Sequence, residues 1–394
     1  MKLDRSMATR LILVVSLVTF LSLLSSRMRA DTGTCGGEMI TLPFIDVAGN
    51  PFFCTIAAAY FTGLTNGTDA THYGPSANVT RDQMSAFITR ALDQAVKRSS
   101  PRLALRRAWN TQTPANLQTI TVGNSPNYVE SDGEDLWVAN NFSDTVTRVH
   151  ASNGKVLGTW TGATSAFAVL CAMGRVYVTG LTGKLYQIDP TQSSGSVITL
   201  SSSLDLLPKG IAYDGRRIWT ANEGGSVSII TVDGSSVHTA TTGFTNPHGI
   251  IFDGTNIWVT DRGDDTLKKL GSSGNILMSV NVGLNPRPPA FDGTNIWVPD
   301  SNSNSVTVVR ATGGIAGTAL ATLTGNGLDS PVGAAFDGER ILIINRDSVS
   351  LWKASDFTAI GTFPIGAGTG PRGVCSDGVN FWITLQGPDQ LARY

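Results

Sequence analysis

Residues 252–259 read FDGTNIWV, and residues 291–298 repeat the same eight letters. An Asp-Gly pair between two short apolar stretches predicts a tight β-hairpin, because the turn needs a residue with positive φ. Related units recur at intervals of about 40 residues along the chain. The Asp place of the repeat is held by Asp132, Ala172, Asp214, Asp253, Asp292, Asp337 and Asp377. The chain therefore contains seven copies of one unit.

Each copy predicts four short strands. A proline, replaced by Ala166 in the second copy, stands six residues before the Asp place, and a short apolar strand connects the two. A second strand of the form [LIV]-[WYL]-[VTI] follows the turn, then a third such as SVSIITV at 226–232 and a fourth such as KVLGTWTG at 155–162. Four strands repeated about every 40 residues indicate a β-propeller blade. The sequence predicts a mainly β fold, with a seven-bladed propeller over 117–394.

The two ends of the repeat region predict how the ring closes. The last copy stops at DQLARY, its third strand, whereas NLQTITVG at 116–123 precedes the first copy like an orphan fourth strand. We expect the strand at 117–123 to complete the seventh blade, which leaves no exposed sheet edge.

An aromatic position recurs in the second strand of the copies. We expect its side chains to pack between neighbouring blades, because a repeated aromatic residue is more typical of core than of a ligand platform. These residues are Trp137, Trp219, Trp258, Trp297 and Trp382, with Tyr177 and Leu342 in the same place.

The period P-x-G-[IVA]-x-x-D-G-x-x-[IL]-W-V resembles that of the NHL and YVTN class of seven-bladed propellers. The resemblance covers 117–394 and implies the fold. It leaves function open, since this fold hosts sugar binders, lyases, hydrolases and scaffolds.

The N-terminus predicts export. Lys2, Arg5 and Arg10 precede an apolar run at 11–24, which at roughly 14 residues is too short to span a bilayer comfortably and suits a secretory signal. We predict a signal peptide over 1–30, cleaved after Ala30; an uncleaved anchor is the alternative. The mature chain would have no transmembrane segment and would be secreted or held in a bacterial cell envelope.

The cysteines fit an oxidising compartment. Cys35 and Cys54 flank a short segment and are predicted to form a disulfide. Cys171 and Cys375 are predicted to be small buried hydrophobic residues, because they fall two blades apart.

Residues 31–94 predict a small α-helical module. The spacing of Phe53, Ile56, Ala57 and Tyr60 suits one face of a helix that ends near Gly63. A second helix is predicted from an N-cap at Thr80, with Met84, Phe87, Ile88 and Ala91 on its apolar face. A basic linker at 95–116 follows.

This module resembles a single S-layer homology (SLH) unit. Phe44, Asp46 and Val47 match the opening F-x-D-V, Gly63, Leu64 and Gly67 match G-[IL]-x-x-G, and Tyr73 with Pro75 matches [FY]-x-P. The segment 79–82 matches the [IV]-T-R-[AED] signature. The resemblance implies that Asp46, Thr80 and Arg81 bind cell-wall polysaccharide. The family usually carries three units, so a purely structural role for this single unit is the alternative.

A candidate binding site follows from blade geometry. In each blade the innermost strand starts at one face of the ring, and the turn between the second and third strands returns to that same face. The residues that follow the repeat proline should therefore surround one mouth of the central channel. These residues are Asn127, Phe167, Lys209, His248, Arg287, Val332 and Arg372. Basic side chains over Asn and Asp suit an anionic or hydroxyl-rich ligand, and we predict that Asn127, Lys209, His248, Arg287 and Arg372 bind it.

The outer turns offer further polar residues at the same face. They are Asn140 and Asn141, Asn222 and Glu223, Asp261 and Arg262, Asp300 and Asn302, and Asn345 and Arg346. Asn and Asp are also the residues that tight turns prefer. A calcium site at Asp261, Asp264 and Asp265 is a weaker alternative to a solvated turn.

The sequence gives limited support for catalysis. The lyases among these propellers use a histidine base near acidic metal ligands, and His248 is the one histidine predicted at the mouth, with Glu223 and Asp261 as expected neighbours. A lyase or hydrolase using His248 with a divalent metal is one alternative to non-catalytic binding, and a scaffold for other envelope proteins is another. We predict no resident cofactor.

Composition excludes one class of partner. The formal net charge is −1, and charged residues make up 15% of the chain. This charge and composition predict no nucleic-acid partner. The sequence also contains no Gly-rich phosphate loop. The expected partners are cell-wall or envelope polysaccharide and other envelope proteins.

Overall fold

A computed structural model describes residues 30–35, 38–61, 65, 67–79, 84 and 118–394. The chain divides into two compact units, Met1–Lys97 and Arg98–Tyr394. Most of the predicted signal segment and all of the linker at 95–116 lie outside the described residues. Within the described ranges, no helix is long and apolar enough to cross a membrane.

The N-terminal unit contains a β-hairpin and a helix. Strands β1 (Asp31–Cys35) and β2 (Glu38–Leu42) pair antiparallel, and helix α1 (Phe53–Phe61) follows them. The hairpin is absent from the sequence prediction, because DTGTC in β1 lacks the apolar alternation that identifies a strand. A disulfide joins Cys35 to Cys54 and so ties β1 to α1.

Helix α1 lies where the apolar spacing predicts it. Phe53, Ile56 and Ala57 are buried and pack in one cluster with Phe44 and Val47. The predicted second helix falls outside the described residues apart from Met84, which is helical. The helical SLH-type module therefore remains a prediction.

The second unit is a ring of seven four-stranded antiparallel sheets. The innermost strands are β4 (Pro126–Ser131), β8 (Ala166–Ala172), β12 (Pro208–Tyr213), β16 (Pro247–Phe252), β20 (Ala290–Phe291), β24 (Gly333–Phe336) and β28 (Pro371–Ser376). The second strands are β5 (Asp135–Asn140), β9 (Arg175–Gly180), β13 (Arg217–Asn222), β17 (Ile257–Asp261), β21 (Asn295–Asp300), β25 (Arg340–Ile344) and β29 (Phe381–Leu385). Strand β20 is short because Pro288 and Pro289 lack the backbone N–H that a ladder needs.

The outer half of each blade is built from two further strands. The third strands are β6 (Thr145–His150), β10 (Lys184–Ile188), β14 (Ser226–Thr231), β18 (Thr266–Leu270), β22 (Ser305–Arg310), β26 (Ser348–Lys353) and β30 (Gln390–Arg393). The outermost strands are β7 (Val156–Thr161), β11 (Ile198–Ser201), β15 (Val237–Ala240), β19 (Ile276–Asn281), β23 (Ala319–Leu323), β27 (Ala359–Pro364) and β3 (Gln118–Thr121).

The N-terminal strand of this unit closes the ring. Strand β3 pairs antiparallel with β30, so the seventh sheet has the order β28-β29-β30-β3. Each innermost strand contacts the next around the ring, including β28 with β4. Because β3 covers the edge of β30, the last blade has the same four-stranded form as the others.

The repeated aromatic residues fill the spaces between blades, as the sequence predicts. Trp137 packs with Ala166 and Val178 of the next blade, and Trp382 packs with Val129 and Leu136 of the first blade. All five repeat tryptophans are at most 1% exposed. A fully buried aromatic side chain contributes about 3 kcal/mol through the hydrophobic effect, so these contacts are a main source of ring stability.

Candidate functional site

The seven residues predicted to ring the mouth line a single pocket of about 350 Å³. Each lies at the start of an innermost strand or a few residues before it, so the seven blades bring them to one end of the channel. The residues are Asn127, Phe167, Lys209, His248, Arg287, Val332 and Arg372. We call this pocket the mouth.

The outer turn residues divide into structural and pocket-lining positions. The residue that ends the second strand is buried and holds the turn: Asn222 Nδ2 donates to Ser226 Oγ at 3.0 Å and to Ser228 Oγ at 2.9 Å. Asn140 and Asn345 likewise donate to Ser or Thr hydroxyls, and Asp300 Oδ2 accepts from the hydroxyls of Ser305 and Thr307. These four belong to the fold, which agrees with the preference of tight turns for Asn and Asp.

The residue after the end of the second strand reaches the mouth in several blades. Asn141, Leu181, Glu223, Arg262 and Gln386 line the pocket in this way. The sequence prediction does not include Leu181 and Gln386, because it chose polar residue pairs in the turns. It did not use the position of a residue relative to the end of the second strand. The signal was present, since both directly follow a second strand. Asn302 lines an adjacent groove, and Arg346 is exposed at 64% of its side chain.

Glu223 is the centre of a charge network in the mouth. Its Oε1 accepts hydrogen bonds from Arg262 Nη1 at 2.6 Å and from His248 Nδ1 at 3.0 Å. Lys209 Nζ lies 3.7 Å from Oε2. Burial alone would raise the pKa of Glu223, but the hydrogen bond with His248 and the charges of Lys209 and Arg262 lower it to about 2. Glu223 is therefore a carboxylate at neutral pH.

His248 is a neutral imidazole in this setting. Burial lowers its pKa to about 4; Glu223 opposes the shift, and the charge of Arg262 adds to it. Because a carboxylate only accepts hydrogen bonds, Nδ1 carries the proton and Nε2 keeps a lone pair. The predicted second neighbour, Asp261, does not contact His248, since its carboxylate binds Lys268 and backbone N–H groups.

Arg287 is a mouth cation that makes no ion pair with a carboxylate of the described residues. Its guanidinium is partly buried, and the buried Nε atom has no hydrogen-bond partner among the described residues. Burial lowers the pKa of Arg287 to about 10, and the neighbouring charges of Arg262 and Arg372 act in the same direction. This guanidinium therefore offers hydrogen-bond donors that the described protein does not use.

The other two cations, Lys209 and Arg372, each contact an uncharged group. Lys209 Nζ lies 4.1 Å from the centroid of the Phe167 ring, and burial lowers the pKa of this lysine. Arg372 Nε donates to Gln386 Oε1 at 3.0 Å. Among the described residues that line the mouth, four are cationic and one is acidic. The mouth is therefore electropositive while His248 is neutral.

The acidic turn at 261–265 is organised by a lysine. Lys268 Nζ lies 2.6 Å from both Asp261 Oδ2 and Asp264 Oδ2, and Asp265 Oδ1 accepts the backbone N–H of Asn285. Lys268 is 2% exposed. A buried ammonium between two carboxylates repels a second cation, so the arrangement argues against the calcium alternative at these three aspartates.

The channel beyond the mouth contains a titratable group that sequence reasoning missed. A cavity of about 410 Å³ is lined by innermost strands, and Tyr128 lines both this cavity and the mouth. Glu130 lies in the cavity, where burial raises its pKa to about 7. The signal in the sequence is that Glu130 stands two residues before Asp132, where the other copies carry apolar residues.

In the N-terminal unit, the residues matched to the SLH pattern have structural contacts. Both oxygens of Asp46 accept backbone N–H groups, from Tyr73 and from Gly74, each at 2.8 Å. Gly67 has φ of +80°, and a Cβ there would lie 2.5 Å from the His72 carbonyl oxygen. Thr80 and Arg81 fall outside the described residues. Asp46 therefore holds a loop, and its glycan contact stays a prediction.

The comparisons with known proteins support the fold. No family model matches the chain, and no curated protein matches it in sequence. The structure is similar to that of a streptogramin B lyase, with a TM-score of 0.60 and 14% sequence identity, over 70% of this chain and 96% of that one. It is also similar to the WD40 β-propeller domain of Doa1, with a TM-score of 0.59 and 11% identity, over 70% and 94% of the chains.

These similarities and the seven sheets define a seven-bladed β-propeller. At such low identity the neighbours share the fold alone, so any function has to be argued from the mouth itself.

Proposed function

We propose that the propeller mouth binds an anionic, hydroxyl-rich ligand of the envelope polysaccharide class and does not transform it. The observation that carries the proposal is Arg287, whose partly buried guanidinium has no carboxylate partner within the described part of the chain and lies near two further arginines. Holding these cations together costs electrostatic energy in the free protein. A carboxylate or phosphate of the ligand would offset that cost through charge-assisted hydrogen bonds.

The remaining lining supports a sugar in preference to a bare anion. Amide side chains of Asn127, Asn141 and Gln386 line the same pocket as the cations. Amides both donate and accept, which suits vicinal hydroxyl groups. A volume of about 350 Å³ is large enough for a sugar ring with its substituents.

We further propose that the protein is exported and that its N-terminal unit docks on cell-wall or envelope glycan. Support comes from the SLH-like sequence pattern, with Asp46, Thr80 and Arg81 as contact residues, and from the disulfide between Cys35 and Cys54, which suits an oxidising compartment. In this arrangement the N-terminal unit anchors the chain and the propeller binds a second glycan or a protein partner.

A pull-down on purified sacculi and envelope polysaccharide tests the two contributions separately. The variants are Arg81→Ala, a chain that starts at Ala115, and the double change Arg287→Gln with Arg372→Gln. Arg346→Gln is the matched control, because Arg346 is an exposed arginine at the same face outside the mouth. We expect the double change to abolish polysaccharide binding by the chain that starts at Ala115, and the control to preserve it.

Each outcome identifies the unit responsible. Binding to sacculi that is lost in Arg81→Ala and in the shortened chain supports the N-terminal unit as anchor. Binding that survives both assigns the function to the mouth. No binding by the wild type contradicts the glycan proposal and favours the scaffold alternative.

A second candidate, an enzyme that uses His248, is favoured by one specific observation. Glu223 orients a neutral imidazole whose Nε2 keeps a lone pair, which is the arrangement of a general base. A divalent metal does not fit here, because Arg262 and Lys209 already surround the Glu223 carboxylate with positive charge. We therefore derive no metal-dependent step.

Product analysis after incubation with the bound polysaccharide separates this candidate from simple binding. Turnover that disappears in His248→Asn while affinity is retained would establish catalysis. Intact ligand recovered from the wild type would leave binding as the function of the mouth.

A further inference from the structure

A polar groove adjoins the mouth and shares one wall with it. The groove has a volume of about 420 Å³ and lies between the turns of the fourth and fifth blades. Its lining includes Asn246, Arg262, Asp265, Leu284, Asn285 and Asn302. Arg262 lines both the mouth and the groove, so its side chain forms a wall that the two spaces share.

Arg262 is fixed from both sides. Its Nη1 donates to Glu223 in the mouth at 2.6 Å, and its Nε donates to Asn285 Oδ1 in the groove at 2.5 Å. Asn285 Nδ2 in turn donates to Asn302 Oδ1 at 3.1 Å. A guanidinium held by two partners keeps its position when a ligand arrives, so the wall between the spaces is preorganised.

The groove differs from the mouth in its chemistry. Three asparagines and one carboxylate line the groove. Its single cation, Arg262, already has hydrogen-bond partners. The buried Asn246 Oδ1 has no hydrogen-bond partner among the residues described. Leu284 is 53% exposed and adds an apolar surface. Amide groups beside an apolar surface suit the hydroxyl and C–H faces of an uncharged sugar ring.

We propose that the groove is a second sugar subsite, which takes a neutral, hydroxyl-bearing unit next to the anionic unit bound in the mouth. This inference rests on the proposed function of the mouth and narrows its ligand to an oligosaccharide that joins an acidic sugar to a neutral one. Asp265 disfavours a second acidic unit in the groove, because like charges repel.

Calorimetry with defined probes tests the subsite. The probes are glucuronic acid alone, the disaccharide of glucuronic acid and N-acetylglucosamine, and a digalacturonic acid. We expect the neutral second sugar to tighten wild-type binding about tenfold, which corresponds to about 1.4 kcal/mol, and a second acidic sugar to give no such gain.

Side-chain changes in the groove should remove only that gain. The double change Asn246→Ala with Asn302→Ala is expected to bind the disaccharide no better than glucuronic acid, with the affinity for glucuronic acid kept within about twofold. Asn285 is left unchanged because it holds Arg262. Asn153→Ala, an exposed asparagine in a turn at the other end of its blade, is the matched control.

The outcomes separate failure of the subsite from failure of the mouth. If glucuronic acid binds in an Arg287-dependent way but the disaccharide gains nothing, or keeps its gain in the double variant, the groove inference is wrong and the mouth stands. If no probe binds the wild type, or Arg287→Gln has no effect on glucuronic acid, the proposed function fails and the inference fails with it.

Discussion

The indole Nε1 of Trp258 donates a hydrogen bond of 2.7 Å to Oδ2 of Asp253 at the hairpin turn. Oδ1 of the same aspartate accepts the backbone N–H groups of Thr255 and Asn256, which close the turn. Four other blades repeat the bond between indole and aspartate at 2.7 to 2.9 Å. The repeated Asp and Trp are therefore one structural unit, which joins the turn to the packing between blades.

Removing this indole donor should destabilise the ring. In Trp258→Phe, Oδ2 of the buried Asp253 loses its hydrogen-bond donor, at an expected cost of about 1–3 kcal/mol in the free energy of unfolding. Trp352→Phe is the matched control, because the buried Trp352 Nε1 has no hydrogen-bond partner within the described ranges. Urea denaturation of both variants measures the difference. Equal losses of unfolding free energy in the two variants would show that the cost comes from the smaller side chain alone and that the hydrogen bond contributes nothing.

The repeat predicted the fold through its period, even where its consensus fails. In the sixth copy Leu342 replaces the tryptophan, and Arg340 Nε donates to Asp337 Oδ2 at 2.9 Å instead. In the second copy Ala172 replaces the aspartate, and the turn is formed by Met173 and Gly174 with φ of 51° and 68°. The hairpin therefore forms in both copies with different residues at the turn. The spacing of about 40 residues between copies identifies the blades better than any single residue does.

The candidate site was only half predictable, for a geometric reason. The position after the repeat proline is fixed by the innermost strand, and all seven residues predicted there line the mouth. In the outer turns, one residue of a polar pair turns inward and the next turns to the pocket, as with Asn222 and Glu223. The polarity of the two side chains does not show which of them points inward and which points to the pocket, because only the register of the turn determines their directions.

His248 should titrate far below an ordinary histidine. We expect its pKa near the value of about 4 that burial and Arg262 produce, and a rise in Arg262→Gln. Proton NMR of the imidazole between pH 3 and 8 measures both, with His248→Asn used for assignment. A pKa of His248 at about 6.5, the ordinary value, would contradict the buried environment.

The same shift predicts how stability depends on pH. An unfolded histidine takes up a proton below about 6.5, whereas folded His248 does so only near pH 4. The contribution of His248 to the free energy of unfolding is therefore fully present above about pH 6.5 and is lost as the pH falls towards 4. His248→Asn should flatten that part of the stability curve.

Lys268 should be essential to its turn. Replacing it with Met leaves Asp261, which is fully buried, without its cation, and we expect a loss of about 3–5 kcal/mol in the free energy of unfolding. Lys269→Met, the neighbouring change, should cost far less, because Lys269 is only partly buried. Thermal melts with and without calcium complete the test. Stabilisation of the wild type by calcium would contradict the lysine-centred arrangement.

Glu130 should destabilise the fold as it ionises. Its folded pKa of about 7 exceeds its ordinary value of 4.5, so the folded chain holds a proton that the unfolded chain releases, and stability falls as pH rises through this interval. Glu130→Gln should be more stable than the wild type by about 3 kcal/mol at pH 8 and equal to it at pH 4. Urea denaturation at both values checks this. An equal gain in the exposed variant Glu134→Gln would sink the explanation.

The affinity of the mouth for an acidic sugar tests the central claim most directly. Isothermal titration of glucuronic acid oligosaccharides into the wild type, Arg287→Gln and Arg346→Gln should show a loss of about 10- to 100-fold in the first variant, as expected for a lost charged hydrogen bond. The affinity of Arg346→Gln should stay within about twofold of the wild type. An Arg287→Gln variant that binds as tightly as the wild type would contradict the account.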